Sequence, residues 1–406
     1  MYACTTETEA ADTEIAIADA TRAIVDALGH APDFVIAAYG EAHDARAIHA
    51  KLSEAFPRAA LIGTSTCRGV MTERGLFGFG KPVLALAAFS DPDAAFGTAG
   101  LALEGDLPSA IDRAIEEAQA AAGRAGEVPD MVWLHASPGR EEELIAGIQA
   151  SLGADVLISG GSSADECIGG LWSQFTTSGL ADGAAIALLY ADQPITHHFQ
   201  SGYLPTDLTG EVTRARGRTL YEIDHRPAAE IYNHWADGAI SEAIRDRSRN
   251  ILGDSAWKPL GKSIGRIGPS PELMVDCYCL VHPDSVGPDG ELRLFADVEE
   301  GSRVVLMRSG PEELTKRATQ VVRTSFEMTP AGTGVGAALM VFCAGCMLAL
   351  GDDIQSASAE IRAAFGDVPF LGVFTFGEQG SFLNGDRLHG NLMISTTLLG
   401  SAVPAT

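Results

Sequence analysis

Cations are scarce in this 406-residue chain: 28 Lys and Arg stand against 54 Asp and Glu, a net charge of −26. Such a surface repels phosphate backbones and anionic headgroups, which excludes nucleic acid as a partner. No apolar run approaches the roughly 18 residues that span a bilayer, so no membrane insertion is expected. The opening MYACTTETEAADTE lacks the basic and apolar segments of a secretory signal. Cysteine is sparse and odd in number, seven in all, which argues against a disulfide framework and fits a reducing compartment. A cytoplasmic location is therefore the expectation. The ten histidines include no H-x-x-x-H or H-E-x-x-H pair, so no hydrolytic zinc site is expected. Motifs of the form G-x-x-x-x-G-K-[ST], G-x-G-x-x-G and G-x-S-x-G are missing from the candidate loops, which leaves nucleotide binding and serine hydrolysis without a signature.

What the chain does have is one unit written three times: apolar strand, amphipathic helix, apolar strand ending in small residues, variable stretch, apolar strand. The first copy reads DFVIAAYG (33–40), a helix near 44–56, ALIGTSTCRG (60–69) and PVLALAAF (82–89). The second reads DMVWLHAS (130–137), a helix near 141–152, VLISGGSSADE (156–166) and AAIALLY (184–190). The third reads AALMVFCAG (337–345), a helix near 352–365, PFLGVFTFGEQG (369–380) and NLMISTTLLG (391–400). From first strand to last, Phe34 to Val83 spans 49 residues, Met131 to Ala184 spans 53 and Ala338 to Leu392 spans 54. A repeat places equivalent loops at equivalent strand ends.

The fold class expected is α/β: layered sheets with covering helices, built from a repeated strand-helix-strand-strand unit, plus an antiparallel meander. Strands apolar nearly throughout read as buried on both faces. Residues 1–12 read as a frayed tail before a helix over 13–28, so 1–29 forms a tail and helix. An N-terminal domain over 30–225 and a C-terminal domain over 226–398 follow. Between the second and third copies, 197–224 reads as two or three antiparallel strands. Helices are expected near 227–237 and 242–249, a loop over 250–271, and a meander over 273–281, 292–298 and 302–309. A helix near 311–326 leads into the third copy.

The loops after the second strands hold hydroxyls, glycines and a few charges, the groups a polar ligand site uses. They supply Ser65, Thr66 and Arg68 from the first copy, Ser162, Ser163 and Asp165 from the second, and Thr375 and Glu378 from the third. Small residues there also suit any tight turn. Glu378 lies between aromatic neighbours; buried, it would hold a raised pKa or pair with a cation. His135 ends a first strand, where the other copies are read as carrying Tyr39 and Cys343, and His389 precedes the last strand. His197 and His198 are adjacent and would point to opposite faces of a strand. Cys343 and Cys346 form a C-x-x-C at a strand end. They read as buried apolar side chains, with a thiol redox role, or zinc shared with Cys277 and Cys279, as alternatives.

Taken together, ISGGSSADE, VTRARGRTLYEIDHRPAAEIY (212–232), the VFCAGC strand end and FLGVFTFGEQGSFLNGDRLHGNLMISTTLL resemble the FIST domain proteins, N-terminal and C-terminal modules in order over about 30–395. The most specific element is Gly372–Glu378 followed by His389, Asn391 and the T-x-L ending. The resemblance implies an intracellular sensor of a small ligand that regulates a signalling partner such as a histidine kinase, with a homo-oligomer possible. One branch of the family binds haem and responds to nitric oxide; the cofactor would then be haem, with His135 and His389 as the candidate axial ligands and Phe374, Phe376 and Phe382 as apolar neighbours. Ser65, Thr66, Arg68, Ser162, Ser163, Asp165, Thr375, Glu378 and Asn391 are the candidate ligand contacts. Two departures stand out: Cys346 replaces an Arg found in many members, and Val70 follows Gly69 where Glu is frequent. The alternatives are a sensor of an amino acid or other small metabolite without haem, an enzyme using Cys343 or Glu378, and a scaffold.

Overall fold

A computed structural model describes residues 1–247, 250–267 and 274–402. Each copy of the repeat forms the centre of its own six-stranded sheet. Phe34–Tyr39 pairs in parallel with Ala60–Ser65 and antiparallel with Leu84–Ser90. Met131–Ala136, Leu157–Ser162 and Ala184–Tyr190 repeat that arrangement, as do Thr333–Cys343, Phe370–Thr375 and Met393–Ala402. An extra antiparallel strand borders each third strand: Tyr2–Thr8, Ala95–Leu101 and Ile195–Ser201 respectively.

The opposite edge of each sheet is closed by a hairpin from another copy. The first copy sends Gly69–Thr72 and Gly75–Gly78 to the third sheet. The second sends Gln174–Thr176 and Gly179–Ala181 to the first. The third sends Glu378–Ser381 and Arg387–Gly390 to the second. This cyclic exchange satisfies backbone groups that an open edge would expose, and it makes the three sheets one structure.

The inner faces of all three sheets share one apolar core, to which Phe34, Ile36, Met131, Trp133, Leu339 and Val373 contribute. Two helices cover each outer face: Thr13–Leu28 with Ala45–Ala55, Leu107–Ala121 with Glu141–Leu152, and Pro311–Met328 with Ile354–Phe365. Burial on both faces is why the strand sequences do not alternate. A seven-stranded antiparallel path adjoins these layers, running Val275–Val281, Leu260–Ile267, Arg303–Arg308, Leu204–Arg216, Thr219–Ile223, Leu292–Leu294 and Pro283–Val286.

Several expectations change. Residues 2–8 are a strand rather than a frayed tail, because Leu84–Ser90 has an edge to pair with and buries Thr5 and Thr6. Asp12 then caps the first helix, its carboxylate accepting the Ile15 N–H at 3.0 Å. Leu107–Ala121 is a helix that was not expected, opened by the Asp106 cap and an early Pro. The stretch expected as a loop over 250–271 contains the helix Leu252–Ser255 and the strand Leu260–Ile267, and its residues 268–271 lie outside the described residues. The helix expected over 242–249 is Ser241–Asp246, and Ser248 and Arg249 lie outside the description. Of the strand expected over 273–281, Leu273 also lies outside. The register moves one equivalence: His135 faces Gly161 while Tyr39 faces Ser65 and Cys343 faces Thr375. The counterpart of Tyr39 and Cys343 is therefore Ala136.

Candidate ligand-binding site

The three loops after the second strands converge and bond to one another. The Ala164 N–H donates to the Ser65 carbonyl at 3.1 Å, Cys67 N–H to Phe374 at 3.0 Å, and Phe376 N–H to Ser162 at 3.1 Å. Their side chains are engaged in the same way. Thr64 and Ser163 hydroxyls lie 2.9 Å apart, Thr66 donates to the Gly69 carbonyl at 2.8 Å, and Ser65 accepts the Ser173 N–H at 2.9 Å. Ser65, Thr66, Ser162, Ser163, Asp165, Thr375 and Glu378 are all fully buried. These residues form the hub that joins the copies. Arg68 stands apart, exposed at a φ of 60° beside Glu166 in a separate surface hollow.

Glu378 is buried, and among the described residues no cation pairs with it. Thr375 donates to Oε1 at 2.9 Å and the Met393 N–H to Oε2 at 3.0 Å. Burial, followed by the neighbouring Cys343, pushes its pKa well above the usual carboxylate range. Cys343 is likewise raised well above a normal thiol, first by burial and then by its contact with Cys346. His135 accepts the Trp133 indole N–H at Nε2, 2.9 Å away, and sets Nδ1 3.2 Å from the Gly161 carbonyl. Burial lowers its pKa to about 4.

A pocket of about 420 Å³ opens beside this hub. Pro138, Glu141, Ile168, Trp172 and Arg218 line it together with Trp257, His282, Phe295, Cys343, Gly345 and Phe376. Asn391 also lines it, and its buried Nδ2 has no hydrogen-bond partner. Asp165 shapes the rim: its carboxylate accepts the N–H groups of Cys167, Gly169 and Leu171 at 3.2, 2.8 and 2.8 Å. That turn holds Ile168 at a φ of 57°, a costly conformation for a β-branched residue, and brings Ile168 and Trp172 to the mouth.

Glu141 and Arg218 make one part of the wall a charged cluster. Arg218 Nη2 sits 2.6 Å from Glu141 and 2.7 Å from Glu142, with Asp297 at 3.7 Å from its Nε. His389 Nδ1 is 2.9 Å from Glu142, and Ser162 donates to Glu141 at 2.7 Å. Burial works to raise both glutamates, but His389 and Arg218 outweigh it, so both lie below the usual carboxylate range. Glu141, Glu142 and His389 form the group of potential metal donors among the described residues. The Arg218 guanidinium already supplies the positive charge there. Described cysteines form no such group: Cys279 donates to the His389 carbonyl, and Cys277 is only half-buried.

Of the candidate ligand contacts, the structure places Asn391 in the pocket wall. Ser162 and His389 stand behind it, joined to it through Glu141 and Glu142. Glu141, Arg218, His282, Trp172 and Trp257 were not anticipated. The acidic run 141–143 opening a helix and the RARGR stretch carried the available signal; the histidine and tryptophans had none.

These features define a layered α/β protein with an open pocket lined from both halves of the sequence. The chain belongs to the FIST family: the FIST N domain matches residues 33–226 and the FIST C domain matches 228–381. FIST domains are associated with signal transduction and the sensing of small ligands. No curated protein matches the sequence. Among solved structures, cyanuric acid hydrolase from A. caulinodans is 13% identical with a TM-score of 0.30, over 76% of this chain and 99% of that one. So low a score supports no further comparison. No helix among the described residues is long and apolar enough to cross a membrane.

Proposed function

We propose that this protein is a small-ligand sensor whose ligand occupies the pocket between the FIST N and FIST C modules, and whose occupied state is read by a signalling partner. The supporting observation is that both modules build one pocket: Glu141, Trp172 and Arg218 fall in the N match, while Trp257, His282 and Cys343 fall in the C match. A ligand there touches both halves, so binding energy can bias their relative arrangement. A histidine kinase is the partner class the family resemblance implies. A cytoplasmic location belongs to the same reading.

The two histidines expected as axial ligands are not presented to this pocket. His135 has both ring nitrogens engaged within the protein, His389 turns Nδ1 to Glu142, and neither lines the pocket. The reading favoured is therefore a sensor of a metabolite without haem. A Soret band in purified protein, lost in His135→Ala or His389→Ala, would reverse that preference. An enzymatic role is also disfavoured: burial raises the Cys343 thiol well above its ordinary value, away from the reactive thiolate, and Glu378, itself raised by burial, does not line the pocket.

A thermal-shift screen of small metabolites tests the proposal. A ligand at about 100 times its Kd should stabilise the wild type by about 2.7 kcal/mol. Ala349 also lines the pocket, and Ala349→Trp, which places an indole inside it, should abolish that shift without unfolding the protein. Equal shifts in both proteins would contradict it.

A further inference from the structure

The pocket carries a chemical bias beyond its shape. Among the described lining residues Arg218 is the one Lys or Arg, and its charge is already matched by Glu141 and Glu142. Among those residues no free positive charge remains for an anionic ligand.

Four aromatic side chains line the same space: Trp172, Trp257, Phe295 and Phe376. Trp172 and Phe376 stand nearly perpendicular with centroids 6.2 Å apart, so their π-faces turn toward different directions. Aromatic faces carry negative potential and attract cations within about 6 Å.

His282 adds an acceptor. The Ser255 hydroxyl lies 2.9 Å from the Ile251 carbonyl, 2.8 Å from the Pro283 carbonyl and 2.9 Å from His282 Nε2. With the ring hydrogen on Nε2, Oγ accepts from it and the hydroxyl hydrogen is left for one of the two carbonyls. In that tautomer Nδ1 keeps its lone pair. It lies beside Gly345, where an added Cβ would stand 3.9 Å from Nδ1 and 3.4 Å from Cys343 Sγ. Burial keeps the ring neutral by lowering its pKa to about 4. The net charge of −26 adds a long-range preference of the same sign.

We propose that the pocket takes a small amphipathic organic cation, an ammonium group on an apolar body, with the charge against the aromatic walls and an N–H directed to His282 Nδ1. The unpartnered Asn391 Nδ2 is then left to donate to a carbonyl or hydroxyl of the same ligand. This inference rests on the pocket being the ligand site.

Three probes that share a phenylethyl body test it on the full chain: 2-phenylethylamine, 2-phenylethanol and 3-phenylpropionate, followed by tryptophan emission. The amine should bind about tenfold or more tightly than the alcohol, with the propionate weakest. Trp172→Leu and Trp257→Leu should each weaken the amine about 3- to 30-fold and the alcohol less. Trp172 lies on the rim, so that variant guards against a folding defect in the other. Equal binding of amine and alcohol, or tighter binding of the propionate, overturns the cation while leaving the pocket as the site. Binding of none of the three also overturns it. The pocket reading is then decided separately, by whether any metabolite shift disappears in Ala349→Trp.

Discussion

At the scale of single residues, burial governs the ionisation of the enclosed histidines. His135, His197 and His282 are fully buried, and desolvation lowers them to about 4, 3 and 4. Each is neutral in the fold, whereas the unfolded chain takes up a proton near pH 6.5. Their stabilisation is thus complete above pH 6.5 and is lost as pH falls toward 4. Stability should fall as pH drops from 6.5 to 5, at a rate on the order of 1 kcal/mol per pH unit for each histidine, and the urea midpoint with it. Glu378 works in the opposite direction, since its raised pKa favours the fold at lower pH and weakens it as pH rises. A flat urea midpoint over that range would contradict the histidine assignment. Asp165 acts by shape instead: Asp165→Ala should free the 165–172 turn and weaken ligand binding severalfold. Circular dichroism of that variant should remain native.

The residues expected to contact ligand were chosen for being small, polar and at strand ends. Those properties were legible, but their cause was not. Ser65, Ser163 and Thr375 are small because three loops meet at one hub and satisfy one another's backbone. The pocket residues gave little sign because each comes from a different element. Trp172 follows the second copy's loop, Arg218 lies in the meander and His282 follows a strand, so only packing brings them together.

At the scale of elements, the repeated strands and their helices could be read from apolar runs and period. The hairpin exchange could not, because the partner of 69–78 is decided by which sheet presents an open edge. The Thr-rich strand Tyr2–Thr8 was hidden for the same reason. Close approach is enforced locally: a Cβ on Gly97 would lie 1.9 Å from the Ala118 carbonyl, between Ala95–Leu101 and its covering helix. Gly97→Ala should cost about 1–3 kcal/mol in urea denaturation by forcing helix and sheet apart. The charged cluster joins elements too, tying the start of Glu141–Leu152 to Arg218 and to the third copy's hairpin through His389. Arg218→Met leaves two ionised carboxylates facing each other. It should cost about 3 kcal/mol, somewhat less because Arg218 keeps 23% of its side-chain surface exposed. An unchanged midpoint would show that the cluster holds nothing together.

At the scale of the whole molecule, three copies of one unit build a rigid centre, and the meander leans against it to close a pocket. That arrangement suits a sensor. The hub is fully bonded and resists change, while the pocket wall is drawn from both modules and from a rim held by a single carboxylate. The most direct measurement is hydrogen–deuterium exchange with and without a ligand found by thermal shift. Protection is predicted to appear together in 165–172, 252–257, 280–282 and 343–350, segments of both modules that meet only at the pocket. Protection confined to one module, or placed elsewhere with these four segments unchanged, would contradict the account.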